Sequence, residues 1–585
     1  MRREGQASFG CGADTDRWRA EFGSPIDIRS THDLGAVGSI VDWADAQAAD
    51  GHWVVLLLAY EAAPAFDAAL SVRAASAGVP LAWAASYAAN TADSPCPPHT
   101  EDPLPEIAWA PSIDERQFEA ATARVLAHIT AGDTYQVNYT FPVRATFGQD
   151  AAAWYRAAAA PAAVPYPAFI DLGDIVVMSL SPELFVSRRG STVTVRPMKG
   201  TARRGRWRAE DRLLAQGLQQ DAKARAENVM IVDLLRNDLG RLADVGSVHV
   251  RELCRLERYP TVWQLTSTVE AEIAPRTPLR QVLGATFPCG SVTGAPKVST
   301  MGIIADLETA PRGFYTGAIC LLEPGGDFTA SVPIRTVVLD RATSLATFSV
   351  GAGITADSVA ADEWAECLAK ARVVRPPAVP VDARLFETLR LDDGVCLRGG
   401  AHVARMMESA ELFGWPAEAA RVRAALVRLE HAHPSGTWRA RVFLDRHGDV
   451  RAEAVPFDAT RQVWRVLPAA HAIDVRSPLI FNKTTRREAY DDALAAAPGV
   501  DDVLLWNARG EFTESTRANL VLELDGARVT PPIASGLLPG VLRGELLRRG
   551  DVREQVVRLG DLRRASRIWL VNSLRGWIDV DFIDG

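Results

Sequence analysis

The hydrophobic and polar positions of this chain follow strand and helix patterns in alternation. Apolar runs at residues 53–60, 175–178 and 191–195 are typical of strands, and the first is too short to cross a bilayer. Residues 221–239 instead carry apolar side chains at helical spacing, and the alanine-rich run 151–163 predicts a helix as far as its proline. The mixture predicts an α+β protein.

A carboxylate lies on the apolar face of the helix predicted over residues 221–239. Glu227 follows Lys223 by four positions and shares its face with Ile231 and Leu234. A carboxylate on such a face has to be paired or has to bind a cation. This helix is therefore a candidate source of a metal ligand.

A second predicted helix, residues 361–373, places Glu363, Glu366 and Lys370 on one face. Two carboxylate-bearing helices in one domain suggest a site for a hard cation such as Mg²⁺. A solvated charged face would show the same spacing, so spacing alone leaves both interpretations open.

Three prolines within five positions, Pro376, Pro377 and Pro380, mark the clearest domain boundary. They cannot continue a helix and are typical of a short extended linker. The 585 residues also exceed what one hydrophobic core normally supports. We therefore predict a first domain over residues 1–374, a linker at 375–380 and a second domain over 381–585.

Composition narrows the class of function. The net charge of −8 offers no basic face, which argues against nucleic acid as a partner. Residues 1–20 contain no apolar signal segment, and no run is long enough for a membrane span. The seven cysteines are scattered, without a Cys-x-x-Cys pair. We expect a reduced cytoplasmic protein.

Lysine is rare in this chain. Of 64 basic residues, only Lys199, Lys223, Lys297, Lys370 and Lys483 are lysines. A surviving lysine can mark a position where an amine must lose its proton and attack carbon, which a guanidinium cannot do. Chance survival is the alternative, and for Lys223 it is equally good.

Eight ordered motifs within residues 53–373 resemble the chorismate-utilising enzymes, specifically aminodeoxychorismate synthase component I. The motifs are residues 59–67, 132–138, 179–185, 196–201, 226–238, 290–297, 334–336 and 351–354. Each is weak alone, and the ordered set is specific. The resemblance implies sandwich-like β-sheets with flanking helices.

This resemblance implies a reaction at the chorismate ring. Glu183 matches the general acid that protonates the C4 hydroxyl. Lys199 matches a lysine that attacks C2, where anthranilate synthases are similar but have alanine. Gln136 stands where isochorismate and salicylate synthases have a lysine base, and glutamine cannot activate water. Both differences imply that ammonia is added at C4.

The same comparison implies the metal and substrate contacts. Glu227 and Glu366 match Mg²⁺ ligands, with Glu363 as a further or water-mediated ligand. The positions that match substrate contacts are Gln136, Thr293, Tyr315, Arg335, Gly351, Gly353 and Lys370.

Two residues depart from the family pattern. Gln264 replaces a histidine found in many relatives, and Ala224 replaces an acidic residue three positions before the metal ligand. Both changes are expected to alter the local hydrogen bonding and to leave the reaction unchanged. The N-terminal region is also shorter than in many relatives, so no regulatory tryptophan site is inferred.

Residues 381–585 resemble the fold-type IV pyridoxal-phosphate enzymes, closest to 4-amino-4-deoxychorismate lyase, a two-subdomain α+β fold. The matching motifs are residues 385–390, 402–405, 482–486, 513–519, 537–543 and 572–576. The resemblance also implies a homodimer through this domain.

The second resemblance implies pyridoxal 5′-phosphate as the cofactor. Lys483, the only lysine of this domain, matches the residue that bonds to the cofactor aldehyde, and Glu514 matches the partner of the pyridine nitrogen. The positions that match phosphate contacts are Arg405, the backbone N–H groups of Val541 and Leu542, and Ser573. A surface arginine and a solvated turn glutamate would be the alternatives for Arg405 and Glu514.

Together, the two resemblances imply a bifunctional enzyme that aminates chorismate and then eliminates pyruvate to give 4-aminobenzoate, for folate or for a specialised metabolite. No glutaminase motif of the Gly-x-Cys-x-Gly type is present, so a separate glutamine amidotransferase is the expected ammonia source. The alternatives are an anthranilate or isochorismate-type synthase, a class IV aminotransferase in the second domain, and a degenerate chorismate-binding scaffold.

Overall fold

A computed structural model describes residues 4–10, 18–91, 107–162, 164–371, 379–380, 382–458, 460 and 463–583. The chain forms two compact units, one of residues 1–203 and 215–376 and the other of residues 204–214 and 377–585. Most of the predicted linker, residues 375–380, lies outside the described residues. The predicted domain boundaries stay a prediction.

The first unit contains two large sheets and the helices packed on them. Its strands are β1 (Ala7–Phe9), β2 (Ala20–Phe22), β3 (Asp27–Thr31), β4 (Trp53–Leu58), β5 (Ala82–Tyr87), β6 (Ala110–Pro111), β7 (Gln136–Thr146), β8 (Tyr166–Asp171), β9 (Ile175–Ser181), β10 (Leu184–Arg189), β11 (Thr192–Arg196), β12 (Met198–Arg203), β13 (His249–Arg258), β14 (Val262–Glu272), β15 (Gly294–Ala295), β16 (Ala318–Leu322), β17 (Phe328–Ser331), β18 (Thr336–Asp340) and β19 (Leu345–Ile354). Its helices are α1 (Leu34–Ala49), α2 (Glu115–Ala131), α3 (Ala151–Ala162), α4 (Arg208–Gln220), whose first residues belong to the second unit, α5 (Ala222–Gly240), α6 (Leu279–Thr286), α7 (Lys297–Leu307) and α8 (Ala360–Lys370).

The order of strands separates the two sheets. One sheet runs β15-β7-β19-β18-β9-β8-β1-β2, with β6 paired to β7. The other runs β12-β14-β11-β10-β17-β16-β4-β5-β3, with β13 paired to β14. Strand pairs within both sheets are antiparallel, as in the long ladder between β7 and β19.

Strand β4 shows why the first unit is a sandwich. Val55 and Leu57 pack in a core with residues of both sheets, whereas Val54, Leu56 and Leu58 pack in a core that includes α1. Successive side chains of a strand point to opposite faces, so a strand apolar on both faces must be covered on both. The sandwich-like sheets with flanking helices are confirmed.

Caps fix the elements that carry candidate site residues. Helix α2 begins with a capping box between Asp114 and Gln117 and ends at Gly132, whose φ of 83° suits glycine. That stop precedes Gln136 at the start of β7. Helix α5 begins at Asp221, whose side chain accepts a hydrogen bond from the Ala224 N–H group.

The second unit contains two smaller sheets. Its strands are β20 (Leu385–Asp392), β21 (Val395–Cys396), β22 (Thr437–Leu444), β23 (Val450–Pro456), β24 (Val463–Pro468), β25 (Asp502–Trp506), β26 (Phe512–Ser515), β27 (Asn519–Leu524), β28 (Ala527–Thr530), β29 (Arg553–Glu554), β30 (Arg567–Asn572) and β31 (Gly576–Phe582). Its helices are α9 (Gly399–Phe413), α10 (Ala419–Ala432), α11 (Glu488–Ala495), α12 (Val541–Arg549) and α13 (Leu559–Arg564).

Each of these sheets has its own core. The antiparallel sheet β21-β20-β22-β23 packs against α9 and α10. The mixed sheet β26-β25-β24-β31-β30-β27-β28-β29 forms a separate apolar cluster. This arrangement confirms the predicted two-subdomain α+β fold.

Residues 204–214 are a structural part of the second unit. The Trp207 ring stacks on Phe481 with centroids 4.8 Å apart. The Asn482 side chain donates a hydrogen bond of 2.9 Å to the Arg206 carbonyl. This segment therefore packs beside the residue that precedes Lys483.

Candidate active sites

The first candidate site lies where β7, β12 and β19 bring Gln136, Lys199 and Gly353 together. A Cβ atom added at Gly353 would lie 2.7 Å from Gln136 Nε2 and 3.2 Å from Lys199 Nζ. A side chain at this position would occupy the space between the Gln136 amide and the Lys199 amine and would displace both groups. Gln136 Oε1 is buried without a hydrogen-bond partner among the described residues.

Glu183 occupies the same site, between β9 and β10. Burial raises its pKa to about 7, with Lys199 and Arg335 acting in the opposite direction. Ser291 Oγ donates a hydrogen bond of 2.6 Å to Glu183 Oε1. The carboxyl can therefore carry a proton at neutral pH, as a general acid must.

Lys199 is buried on β12. Burial lowers its pKa, although the carboxylates of Glu227 and Glu183 oppose the change. Asn228 donates through Nδ2 to the Lys199 carbonyl at 3.4 Å and to the Leu265 carbonyl at 3.3 Å. The low-dielectric surroundings favour the neutral, nucleophilic amine.

The three predicted metal ligands, Glu227, Glu363 and Glu366, lie close enough for their charges to affect one another's pKa. Burial raises the pKa of both Glu227 and Glu363, and Glu366 raises each further. Glu363 Oε1 accepts a hydrogen bond of 2.7 Å from Ser358, and Glu366 Oε1 lies 2.7 Å from Lys370 Nζ. No group of three His, Cys, Asp or Glu side chains within the described ranges is arranged to hold a metal.

Mg²⁺ commonly takes one or two protein carboxylates and completes its coordination with water and substrate oxygens. The oxygen donors of Glu227 and Glu366 fit a site of that kind. The metal assignment stays a prediction.

Of the predicted substrate contacts, Arg335 shows the clearest constraint. It has a φ of 53° immediately before β18, a conformation that costs energy in a residue with a side chain. Burial lowers the pKa of its guanidinium, which lies near Glu183. Such a buried cation suits an anionic ligand.

The other predicted contacts have local partners. Lys370 Nζ donates a hydrogen bond of 3.0 Å to the Gly351 carbonyl. Thr293 Oγ1 donates within its own turn, to the Cys289 and Gly290 carbonyls. Burial raises the pKa of Tyr315, which is close enough to Glu183 to feel its charge.

The two departures from the family pattern, Ala224 and Gln264, lie on α5 and β14. Ala224 lies against Gly200, since a Cβ atom at Gly200 would come within 3.0 Å of the Ala224 methyl group. Gly200, which follows Lys199, therefore has little room for a side chain, and its φ of 86° also suits glycine. Gln264 is buried on β14 opposite Thr201.

The other two lysines of the first unit have different surroundings. Lys297 Nζ lies 2.8 Å from Asp238 in a largely buried ion pair that joins α7 to α5. Lys223 lowers the pKa of the Glu227 carboxyl. Lysine scarcity thus marks residues around the site as well as the predicted nucleophile.

The second candidate site surrounds Lys483. Burial and the Arg405 charge lower its pKa to about 8, and Nζ lies 5.0 Å from the centroid of the Phe386 ring. Glu387 and Glu514 act in the opposite direction. The structure thus brings the predicted Lys483, Arg405 and Glu514 together.

Glu514 is held by three donors. Tyr490 Oη donates to Oε1 at 2.9 Å, the Leu538 N–H group donates to Oε1 at 3.0 Å, and Asn519 Nδ2 donates to Oε2 at 3.1 Å. Burial raises the pKa of the Glu514 carboxyl to about 7 despite these bonds. One donor set therefore fixes the carboxylate in position.

The residues fit a phosphorylated cofactor. Helix α12 begins after Gly540 without a side-chain cap, so the N–H groups of Val541 and Leu542 are available to an anion. A Cβ atom at Gly540 would lie 1.9 Å from Asn519 Oδ1, so only glycine fits there. Ser573 is buried in the turn between β30 and β31, and its phosphate contact stays a prediction.

Sequence reasoning missed several of these residues. Ser291, Asn228, Tyr490 and Asn519 reach their partners only through the fold. Ser291, Asn228 and Asn519 lie inside the motifs, so the sequence indicated that they are near a site but did not indicate which groups they contact. Tyr490 lies outside the motifs and had no such indication.

Residues 39–376, which include the first candidate site, match the family model described as chorismate binding enzyme. The chain belongs to the chorismate binding enzyme family. Residues 384–583 match the model of amino-transferase class IV.

Individual relatives agree with this membership. The chain is 39% identical over 263 residues to aminodeoxychorismate synthase component 1 of Klebsiella aerogenes (45% of this chain, 58% of the relative). It is 38% identical over 267 residues to anthranilate synthase component 1 of Aquifex aeolicus (46% and 53%). The matching part thus spans just over half the length of these relatives.

A solved structure is also similar. Anthranilate synthase component I from Streptococcus pneumoniae TIGR4 is 26% identical, with a TM-score of 0.52, over 64% of this chain and 91% of that one.

None of the described helices meets the length and hydropathy needed to span a membrane.

Proposed function

We propose that this chain converts chorismate to 4-aminobenzoate in two steps, amination at C4 followed by elimination of pyruvate. The observation that carries the proposal is the buried Lys199 amine beside Gln136 and Gly353, in the same site as Glu183. An amine at this position distinguishes addition of nitrogen at C4 from addition at C2.

The first step uses Glu183 and Lys199. Glu183 gives its proton to the C4 hydroxyl while Lys199 Nζ bonds to C2, the ring double bonds shift, and the C4 oxygen leaves as water. Ammonia then bonds to C4, the double bonds shift back and the C2–Nζ bond breaks. Lys199 is restored, and the nitrogen is para to the ring carboxylate.

Gln136 favours ammonia over water as the second nucleophile. Its amide cannot accept a proton, so water at this position stays un-ionised and weakly nucleophilic. Ammonia needs no such base.

Substrate carboxylates would be held by cations of the first site. Arg335 and Lys370, with the backbone near Gly351 and Gly353, would bind one, and Tyr315 and Thr293 would border it. Glu227 and Glu366, with Glu363 through water, would hold Mg²⁺, which neutralises the ring carboxylate in an otherwise acidic place.

The second step uses Lys483, Glu514 and Arg405. Pyridoxal phosphate, when bound, supplies a ring that accepts the electrons released at C4 of the substrate. Lys483, whose pKa is about 8, removes the C4 proton. Glu514 would hold the proton of the pyridine nitrogen, and Arg405 with the α12 N-terminus would hold the phosphate. The C3–oxygen bond breaks, pyruvate leaves and the ring becomes aromatic.

A separate glutamine amidotransferase would supply the ammonia. The sequence contains no Gly-x-Cys-x-Gly motif, and the curated relatives are named component 1.

One incubation series tests the proposal. Purified protein with chorismate, Mg²⁺ and ammonium should accumulate aminodeoxychorismate without pyridoxal phosphate, and should form 4-aminobenzoate and pyruvate with it. Glutamine in place of ammonium should give no product. Anthranilate in either tube would refute the first step, and exchange between an amino acid and a 2-oxo acid without pyruvate release from aminodeoxychorismate would refute the second.

A further inference from the structure

We propose that Glu387 and His402 are positioning residues, which orient the Arg405 guanidinium so that its two free N–H groups grip the phosphate of the cofactor. This inference rests on the proposed binding of pyridoxal phosphate in the second unit. Neither residue needs to touch the substrate.

Arg405 is held from one side by a bidentate ion pair. Its Nε donates to Glu387 Oε1 at 2.9 Å, and its Nη2 donates to Glu387 Oε2 at 2.6 Å. Glu387 is 3% exposed on β20, so water does not compete for these bonds.

A third bond fixes the other end of the guanidinium. Arg405 Nη1 donates to the Pro539 carbonyl at 3.1 Å. Pro539 immediately precedes Gly540 and the uncapped start of α12. The contact therefore places the guanidinium close to the start of α12.

The count of donors leaves a defined pair unused. A guanidinium has five N–H groups in a rigid plane, and Nε, Nη1 and Nη2 each use one here. Within the described part of the chain, one N–H of Nη1 and one N–H of Nη2 have no acceptor. Nε and Nη2 share the carboxylate on one side of the guanidinium, so the second N–H of Nη2 projects from the end of the fork. Together with the second N–H of Nη1 it can donate to two oxygens of a phosphate.

His402 supports the carboxylate rather than the ligand. Its Nδ1 lies 2.6 Å from Glu387 Oε2, the oxygen that also accepts from Arg405 Nη2. Burial acts to raise the pKa of Glu387, but Arg405 and His402 together lower it to about 2, so the carboxylate only accepts and His402 Nδ1 must donate. His402 Nε2 has no hydrogen-bond partner among the described residues.

The test compares two ligands that differ only in the phosphate. Full-length apoprotein is titrated with pyridoxal phosphate and with pyridoxal, and binding is followed by the absorbance change at the cofactor, with no substrate present. Glu387→Gln keeps the shape and removes the charge. We expect this variant to bind pyridoxal phosphate about tenfold or more weakly than the wild type, and to bind pyridoxal less than about twofold more weakly.

His402 provides the second variant pair. His402→Leu should weaken the binding of pyridoxal phosphate but not that of pyridoxal. His402→Asn restores a donor near the position of Nδ1, so it should recover most of the lost affinity for pyridoxal phosphate. Glu453→Gln is the matched control, an exposed glutamate of the same unit near Arg441, and should change neither ligand. Thermal unfolding of each apoprotein reports whether the fold is kept.

The outcomes separate the two levels of the proposal. Equal loss of both ligands, or no loss of either, in Glu387→Gln overturns the positioning role while the wild-type cofactor binding stands. Wild-type protein that binds neither ligand overturns the cofactor proposal and this inference with it.

Discussion

Ser291 Oγ donates a hydrogen bond of 2.6 Å to Glu183 Oε1, and the Cys289 thiol lies 3.1 Å behind it. The hydroxyl stabilises the ionised carboxylate, whereas burial, which is the larger effect, raises the pKa of Glu183 to about 7. The pKa of the Glu183 carboxyl is therefore set by burial, which raises it, and by Ser291 and the nearby cations Lys199 and Arg335, which lower it.

The Ser291→Ala variant should move the basic limb of the first reaction to higher pH. Loss of the donor raises the pKa of Glu183 further, so the acid stays protonated further up the pH scale. The measurement is kcat/KM for chorismate, with ammonium as nucleophile, across pH. Ser299→Ala removes an exposed hydroxyl that bonds to the Asp133 carbonyl and should leave the profile in place. A basic limb that moves to lower pH would contradict the assignment.

Lys199→Ala and Lys483→Arg should each stop one half-reaction and spare the other. The alanine variant lacks the C2 nucleophile, and the arginine variant lacks an amine that can lose its proton. Aminodeoxychorismate formation and pyruvate release, assayed separately, should each fall by at least about a hundredfold in one variant only. Each variant serves as the folding control of the other, and full turnover in both would disprove the covalent roles.

Gly353→Ala should impair the first reaction without unfolding the protein. The added methyl group would lie 2.7 Å from Gln136 Nε2 and 3.2 Å from Lys199 Nζ, so both groups must shift. A shift of about 1 Å in a site can cost on the order of a hundredfold in rate. Gly302→Ala meets no atom within 4 Å and is the matched control. Wild-type kcat/KM for chorismate in Gly353→Ala would show that this contact does not shape the site.

Tyr490→Phe should narrow the pH range of the second reaction from the acid side. Burial raises the pKa of Glu514 to about 7, and the Tyr490 hydroxyl is among the groups that lower it. Without that donor the carboxylate ionises only at higher pH, and its hold on a pyridine proton weakens accordingly. Pyruvate release measured against pH should show the acid limb moved upward, with the first reaction unchanged. An unmoved limb would mean that Glu514 does not control the reaction.

The local sequence was enough to predict the elements that carry the site. Residues 221–239 were predicted as a helix, and α5 is Ala222–Gly240. The runs 175–178 and 191–195 fall within or overlap β9 and β11. Hydrophobic periodicity reports these elements because each buries a single face or is covered on both.

Pairings across long stretches of chain were beyond such reasoning. Ser291 and Glu183 are separated by 108 positions, and Arg405 meets Pro539 across 134. Periodicity does not tell which turn faces which carboxylate, because the packing of whole sheets decides it. The motifs told which segments matter, and the fold told which atoms meet.

The placement of residues 204–214 has a practical consequence for anyone who wishes to handle the halves apart. The second unit is formed by two segments of the chain, one before the proline run and one after it. If the gene were divided at the proline run, Trp207 would be part of the N-terminal fragment. The C-terminal fragment would then lack the ring that stacks on Phe481, and the Phe481 ring would be exposed. Because the second unit is built from two separate segments of the chain, dividing the chain at one point cannot yield both units intact.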